Sequence, residues 1–140
     1  MKFTSVKNVE VFNLDQLRGL NAFAMAEDVK RSTGGGQMTA KKVATQVREN
    51  GFLGALAFAL ERKKDGGFKN AGHQSVFETI RRHLLSAKRL SSECDSTDAM
   101  FEKVSEGSAD ELRAVTDETM AYMNYLRRFA KPGKDEDQGD

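Results

Sequence analysis

The sequence NGFLGALAFALERK at residues 50–63 contains nine consecutive residues, 52–60, without a charged, hydroxyl or amide side chain. Leu and Ala favour the helix, and Asn50-Gly51 is a natural boundary between one helix and the next. A short helix that is apolar all round has no face to present to water. We therefore expect a central helix of about 52–63 in an all-α domain, with residues 52–60 buried on every side and the charged end from Glu61 to Lys64 able to meet solvent or a ligand.

The flanking sequence predicts four or five further helices, which gives a compact bundle of five or six. Capping boxes mark helix starts at Asn13, Ser75 and Ser108, and Thr39 is a candidate cap for another helix. Apolar residues recur at helical spacing in each segment. The expected helices cover about 14–31, 40–49, 75–90, 97–106 and 109–131.

The expected boundaries are an N-terminal arm (1–12), a single helical domain (13–131) and a disordered acidic tail (132–140). The arm alternates polar and apolar residues but shows no partner strand, so we expect it to be extended. Gly34, Gly35 and Gly36 predict a flexible connection between two helices.

Length and composition indicate one domain with a real hydrophobic core. No run approaches the roughly 18 apolar residues of a membrane helix, and the N-terminus opens no signal peptide. The single cysteine, Cys94, allows no internal disulfide and suits a reducing compartment. We expect a cytoplasmic protein that does not interact with a membrane.

The net charge of +1 hides a strong asymmetry along the chain. Residues 1–33 carry a net charge of +1, residues 37–90 carry +7, and residues 91–140 carry −7. A basic middle and an acidic last third predict an anionic partner for the middle, or head-to-tail contact between copies. These two outcomes are compatible.

The sequence offers no arrangement typical of a catalytic or metal site. His73, His83 and Cys94 cannot fill a closed zinc site alone, and Cys94 has no basic flank that would activate its thiol. The segment from Gly34 to Lys42 lacks the Gly-Lys-Ser/Thr ending of a phosphate-binding loop, and we favour a plain linker. We expect no enzyme, no cofactor, no metal and no small-molecule substrate.

Basic residues concentrate in the middle of the chain. On a continuous helix Arg81, Arg82, Lys88 and Arg89 would share one face, away from the apolar stripe. With other cations they could line a groove that binds a nucleic-acid backbone without reading bases; a solvated helix face is the plain alternative. The other cations are Lys41, Lys42, Arg48, Arg62, Lys63 and Lys64. Aromatic residues for base stacking are missing there, apart from Phe68.

Three phrases of the sequence together resemble the small helical subunit of type III-B (Cmr) CRISPR RNA-guided effector complexes. They are Leu17-Arg18 with Ala22, the run from Asn50 to Phe58 continuing to Lys63, and Leu126-Arg127-Arg128-Phe129-Ala130. The middle run is fairly specific, and the outer two are short. Phe52 stands where the family usually has Leu, Gly19 stands where a better helix former is usual, and the loop at 64–72 is untypically long.

The resemblance implies a non-catalytic subunit that is present in several copies and acts in antiviral defence. Such copies stack into a minor filament beside the other effector subunits and line the channel of the guide RNA and target RNA. Cleavage is performed by other subunits. The charged residues that match the family by position are Arg18, Lys63, Arg127 and Arg128.

Two other interpretations remain open from the sequence. A helical protein–protein adaptor would bind another protein through a face containing Met120 and Met123 and would not bind RNA. In that case the basic residues would scatter on folding rather than share one surface. A small enzyme would need a pocket with perturbed acids or histidines, which the sequence does not offer.

Overall fold

A computed structural model describes residues 1–33 and 37–130 and shows an all-α bundle, which confirms the predicted fold class. The predicted acidic tail and the Gly34–Gly36 connection lie outside these residues. The described elements are β1 (Phe3–Thr4), β2 (Glu10–Val11), α1 (Leu14–Thr33), α2 (Gln37–Ala59), α3 (Ala71–Ser86), α4 (Thr97–Glu106) and α5 (Ala109–Phe129).

Helices α3 and α5 pack against each other, and α1 and α2 each pack against both of them. Helix α4 covers one end through contacts with α2, α3 and α5. The apolar stripes read from the sequence form the core, with Val47, Phe77, Ile80 and Leu126 all buried. The predicted capping box at Ser108 is present, because Ser108 accepts from the Glu111 amide and Glu111 bonds back.

Helix α2 is kinked at Gly51, as predicted, since Gly51 has φ of 84° and ψ of 162°, a backbone conformation that L side chains rarely adopt. The helix starts at Gln37, so Thr39 lies inside it and is not its cap. It ends at Ala59 rather than near Lys63.

The prediction that residues 52–60 are buried on every side is wrong. Phe52, Ala55, Leu56 and Ala59 are buried as a stripe at helical spacing, whereas the opposite face is exposed. That face carries Gly54, Ala57 and Phe58, with Phe58 38% exposed. The reason is geometric: α2 packs on α3, α4 and α5, and no element of the described chain covers its outer side.

The N-terminal segment folds into a hairpin, so the expectation that it has no partner strand is also wrong. β1 and β2 pair antiparallel, with Phe3 opposite Val11, and Asn8 takes a positive φ in the turn between them. Phe3 and Val11 are buried against Leu17 and Ala87 in a small second cluster. The segment supplies its own partner and closes one side of the α1–α3 pair.

Helix α3 begins at Ala71 and ends at Ser86, so the predicted span of 75–90 is wrong at both ends. The Lys88 amide donates to the Leu85 carbonyl and the Arg89 amide to the Leu84 carbonyl, which is the pattern of a Schellman motif. Lys88 occupies its left-handed position with φ of 60°. The motif turns the chain away from the helix axis before Lys88 and Arg89.

A buried polar network joins α1, α3 and α5. The Arg18 guanidinium donates to both carboxylate oxygens of Glu118, at 2.8 and 2.7 Å. His83 Nε2 lies 2.8 Å from Glu118 Oε2, and His83 Nδ1 lies 2.9 Å from Asn21 Nδ2. The side chains of Asn21, His83 and Glu118 are all buried.

The hydrogen bonds of Asn21 fix the protonation of His83. Asn21 Oδ1 accepts from the Val6 amide, so its Nδ2 must donate to His83 Nδ1 and to Ser86 Oγ. With Nδ1 accepting, the His83 proton sits on Nε2 and is donated to Glu118. The His83 ring also stacks on Tyr122, with centroids 4.4 Å apart.

Both titratable members of the network have lowered pKa values. Burial lowers the pKa of His83 below 6.5, and the hydrogen bond to Glu118 only partly offsets this. Burial acts to raise the pKa of Glu118, but hydrogen bonds from Arg18 and His83 outweigh it and lower that pKa to about 2. At neutral pH the network therefore holds a neutral imidazole and a charged carboxylate.

We predict that the free energy of unfolding falls on acidification in two steps. The unfolded chain binds protons more readily at both groups, so the His83 contribution is lost as the pH falls below 6.5 and the Glu118 contribution between 4.5 and about 2. Urea unfolding from pH 7.5 to 5 measures the first step. The variant His83→Gln should flatten it, and His73→Gln gives the share of the other histidine. An equal slope in wild type and His83→Gln would contradict the assignment.

The left-handed Lys88 gives a second prediction. An L residue in this conformation costs about 1–2 kcal/mol, whereas glycine adopts it readily. Lys88→Ala and Lys88→Gly lose the same side-chain contacts, and only the glycine relieves the backbone. We expect the Gly variant to be more stable than the Ala variant by about 1 kcal/mol in thermal or urea unfolding. An Ala variant of equal or greater stability would show that the position is not strained.

Candidate nucleic-acid interface

Two of the predicted RNA-contacting arginines are held in intramolecular bonds. Arg18 is the cation of the buried network. Arg81 donates to Glu78 at 2.9 and 2.5 Å and to the Cys94 carbonyl at 2.8 Å, and its side chain is only 12% exposed. Both arginines therefore hold elements of the bundle together, and neither presents an open guanidinium to solvent.

The remaining cations of 81–89 do not share a face. Arg82 reaches Asp28 on α1 at 3.7 Å. The Lys88 ammonium donates to the Lys2 carbonyl at 2.9 Å beside the hairpin, and Arg89 donates to the Ala87 carbonyl at 3.2 Å. The shared face required a continuous helix to Leu90, and the helix stops at Ser86. The structure thus separates the four cations that the sequence placed together.

Arg62 belongs to the loop between α2 and α3. Its guanidinium lies 3.8 Å from the centre of the Phe68 ring and pairs with Asp98 of α4 at 2.5 Å. A β-bridge joins Arg62 and Phe68, so the loop is an ordered turn rather than an open linker. Arg62 thus anchors this loop to the bundle and leaves its tip, residues 63–67, to solvent.

The exposed lysines of α2 and of the loop that follows it define what we call the α2 basic surface: Lys41, Lys42, Lys63, Lys64 and Lys69, together with the Phe58 and His73 rings. Its five lysines are all exposed, and none has an ion-pair partner among residues 1–33 and 37–130. Lys41 and Lys42 lie on the first half of α2, Lys63 and Lys64 at the loop tip, and Lys69 just before α3. Of the predicted site residues, Lys41, Lys42 and Lys63 belong to this surface.

Contacts of Phe58 join the second half of α2 to the start of α3. The Phe58 ring meets the His73 ring edge-on at 5.1 Å, and Asn70 donates to the Phe58 carbonyl at 2.9 Å. Burial and, secondarily, the charge of Lys42 lower the pKa of His73, so the Lys42 ammonium acts electrostatically on that ring. The kink at Gly51 separates the half of α2 that carries Lys41 and Lys42 from the half that carries Phe58.

The last two predicted site residues lie at the end of α5. Arg128 is exposed and Arg127 half-buried. Arg128 lines a groove of about 370 Å³ between α1 and α5, together with Asp15, Arg18, Ala121, Asn124 and Tyr125. The Tyr125 hydroxyl donates to Asp15 there at 2.6 Å. Arg18 and Arg128 are thus brought together, on a part of the bundle separate from α2.

The sequence contains few local signals that predict the buried network or which apolar side chains are exposed. The partners of His83 lie 35 and 62 residues away in the chain, so no local spacing indicates the network. Phe58 was assigned to the core because its neighbours are apolar. The adaptor face at Met120 and Met123 is not exposed, since Met123 is buried and Met120 packs against the core.

Other kinds of site find no support in the described residues. No group of His, Cys, Asp and Glu within 1–33 and 37–130 could hold a metal ion. None of the helices in that part of the chain is both long and apolar enough to cross a membrane. Cys94 is buried, and burial raises the pKa of its thiol.

Two comparisons with known proteins agree on the same family. A CRISPR-associated Cmr5 family protein from Thermus thermophilus, known from its crystal structure, has the same fold: the TM-score is 0.63 at 20% identity, covering 83% of this chain and 95% of that one. No curated protein matches the sequence. The family model described as CRISPR-associated protein (Cas_Cmr5) matches residues 14–132, from the start of α1 to just beyond α5. The chain therefore belongs to the Cmr5 family of CRISPR-associated proteins.

Proposed function

We propose that the chain is a non-catalytic small subunit of a type III-B CRISPR RNA-guided interference complex in the cytoplasm. It stacks in several copies beside the other effector subunits and lines the channel of the guide RNA and target RNA in antiviral defence. Membership of the Cmr5 family supports the assignment of the chain to this complex. The α2 basic surface is the single observation that supports the contact with RNA.

The chemistry of the α2 basic surface suits a nucleic-acid backbone. Lysine ammonium groups bind phosphates as point charges without a fixed orientation. Five exposed ammonium groups attract the strand without selecting a sequence. Lys41 and Lys42 are adjacent in α2, and Lys63 extends the same charge across the loop. The guide and target sequences can then vary freely while the subunit holds their backbone.

Charge in the last third of the sequence supports contact between copies. Glu102 and Glu106 on α4 and Asp117 on α5 are exposed and have no ion-pair partner among residues 1–33 and 37–130. Such carboxylates complement the basic residues of a neighbouring copy, and a contact between two different faces propagates into a filament. In this arrangement the net charge of −7 on residues 91–140 would attract the basic residues of the next copy.

The alternative is a helical adaptor that does not bind RNA. The separation of Arg81, Arg82, Lys88 and Arg89 agrees with this alternative. Its Met120/Met123 face, however, is occupied within the bundle, which removes the surface proposed for it. The adaptor interpretation would be accepted if neither the full chain nor its complex carried RNA.

The proposal predicts that Lys41→Glu with Lys42→Glu weakens RNA binding steeply and leaves the fold intact, because both side chains are exposed. Each phosphate contact contributes about 0.7 to the slope of log affinity against log salt for a single strand. Loss of two contacts should lower that slope by about 1.4. Filter binding or anisotropy from 50 to 300 mM salt (about the range in which such contacts are screened) measures it.

The matched control changes two other exposed cations, Lys7→Glu with Arg113→Glu, which alters the net charge equally. We expect this control to bind nearly as well as wild type. Equal losses in the two double variants would mean that net charge alone drives binding, and the α2 basic surface would then have no special role.

A further inference from the structure

A cluster of apolar side chains stands open to solvent where α1 meets the end of α5. We call it the aromatic cluster and define it by Leu20, Phe23, Tyr125 and Phe129. Phe23 is 70% exposed and Phe129 is 37% exposed. Their ring centroids are 5.3 Å apart with planes at 88°, and Tyr125 lies nearly parallel to Phe129 at 6.4 Å. The three rings thus form a connected platform.

Core packing does not account for this platform. Phe23 occupies the outer face of α1, whereas the core face of the same helix carries Ala22, Met25 and Val29. A phenylalanine exposed to this degree contributes little to stability. Within the described residues no element covers the cluster, so its faces are available to a ligand.

The α1–α5 groove adjoins the cluster, because Tyr125 belongs to both. Its volume of about 370 Å³ lies within the range of about 300–1,000 Å³ typical of small-molecule sites. Its wall carries the Asn124 amide, the Asp15 carboxylate and the Arg128 guanidinium. The site thus combines flat apolar faces, hydrogen-bonding edges and an open cation.

A nucleotide has the complementary set of groups. Its base stacks on aromatic faces, its edge forms hydrogen bonds with amides and carboxylates, and its phosphate pairs with arginine. We infer that the aromatic cluster and the α1–α5 groove bind one unpaired nucleobase of RNA, with the adjoining phosphate on Arg128. This inference rests on the proposed function, since it assumes that the chain meets RNA.

The charges in the groove favour a nucleotide over a protein partner. A protein docked on the rings would also cover Asp15 and Arg128 and would have to compensate their lost hydration. A nucleotide can leave its phosphate and Arg128 in contact with water. Glu118 neutralises Arg18, and the Tyr125 hydroxyl donates to Asp15. Within residues 1–33 and 37–130, Arg128 is therefore the cation of the groove that is open to an anion.

The aromatic cluster and the α1–α5 groove form a site that is distinct from the α2 basic surface. The aromatic cluster belongs to α1 and α5, whereas the α2 basic surface belongs to α2, the loop after it and the start of α3, so the two sites would hold different parts of the RNA. The α2 basic surface takes backbone of any structure, whereas the aromatic cluster requires a base that is not paired. This difference separates the two proposals experimentally.

The test compares Phe23→Ala with Phe12→Ala in the full chain. Both phenylalanines are 70% exposed, so the two substitutions remove similar amounts of exposed side chain. Only Phe23 contacts another ring, since Phe12 has no ring contact in the described residues. Fluorescence anisotropy would give the affinity for single-stranded RNA and for a duplex of the same length. We expect Phe23→Ala to weaken single-strand binding by about tenfold, since stacking is lost, and to leave duplex binding unchanged. Phe12→Ala should change neither.

A spectroscopic signal provides a second readout. The chain has two tyrosines and no tryptophan, and Tyr122 is buried. Quenching of tyrosine fluorescence by single-stranded RNA should therefore report stacking at Tyr125, and it should be reduced in Phe23→Ala.

The outcomes distinguish the two proposals. If Phe23→Ala left the affinity for single-stranded RNA unchanged while Lys41→Glu/Lys42→Glu lowered it, the base site would be overturned and the proposed function would stand. Loss of co-purifying subunits from Phe23→Ala, with RNA affinity unchanged, would assign the cluster to a protein partner and likewise overturn it. Absence of any RNA binding by wild type would contradict both.

Discussion

The bidentate pair between Arg18 and Glu118 is the interaction on which the arrangement of the bundle depends. Glu118 is a buried carboxylate, and it remains charged because Arg18 and His83 both donate to it. Removing one partner of such a pair typically costs about 3–5 kcal/mol, since it leaves a buried charge uncompensated. The network continues through Asn21 to the amide of Val6, so one set of hydrogen bonds fixes α1, α3, α5 and the hairpin.

This constraint changes how the basic residues are interpreted. Arg18 matches the family pattern, and its place in the network gives it a role in folding that requires no RNA. Arg81 is likewise committed to Glu78 and Cys94. Among residues 1–33 and 37–130, the exposed cations without an ion-pair partner include the lysines of the α2 basic surface, Arg48 in the same helix and Arg128 at the end of α5. Separating the structural arginines from the open cations makes the proposed RNA contacts specific enough to test.

The sequence was sufficient for the helices and most of their buried faces, because apolar periodicity and capping residues are local signals. It failed where a distant element decides the outcome. Phe58 follows a run of apolar residues, yet its exposure depends on which helices surround α2. The end of α3 depends on a left-handed Lys88, which residue type does not predict because glycine usually fills that position. The network of His83 and Glu118 joins residues far apart in the chain, and the grouping of Lys42 with His73 follows from the kink and loop.

The central claim is that RNA meets this subunit on the α2 basic surface. The most direct measurement is ultraviolet cross-linking of the complex purified from its own host, followed by mass spectrometry of the peptides that carry nucleotide. The account predicts cross-links on peptides containing Lys41 and Lys42 and on the loop containing Lys63, together with short guide RNAs and other CRISPR subunits. Cross-links confined to α4, or a complex with RNA on every subunit except this one, would contradict it.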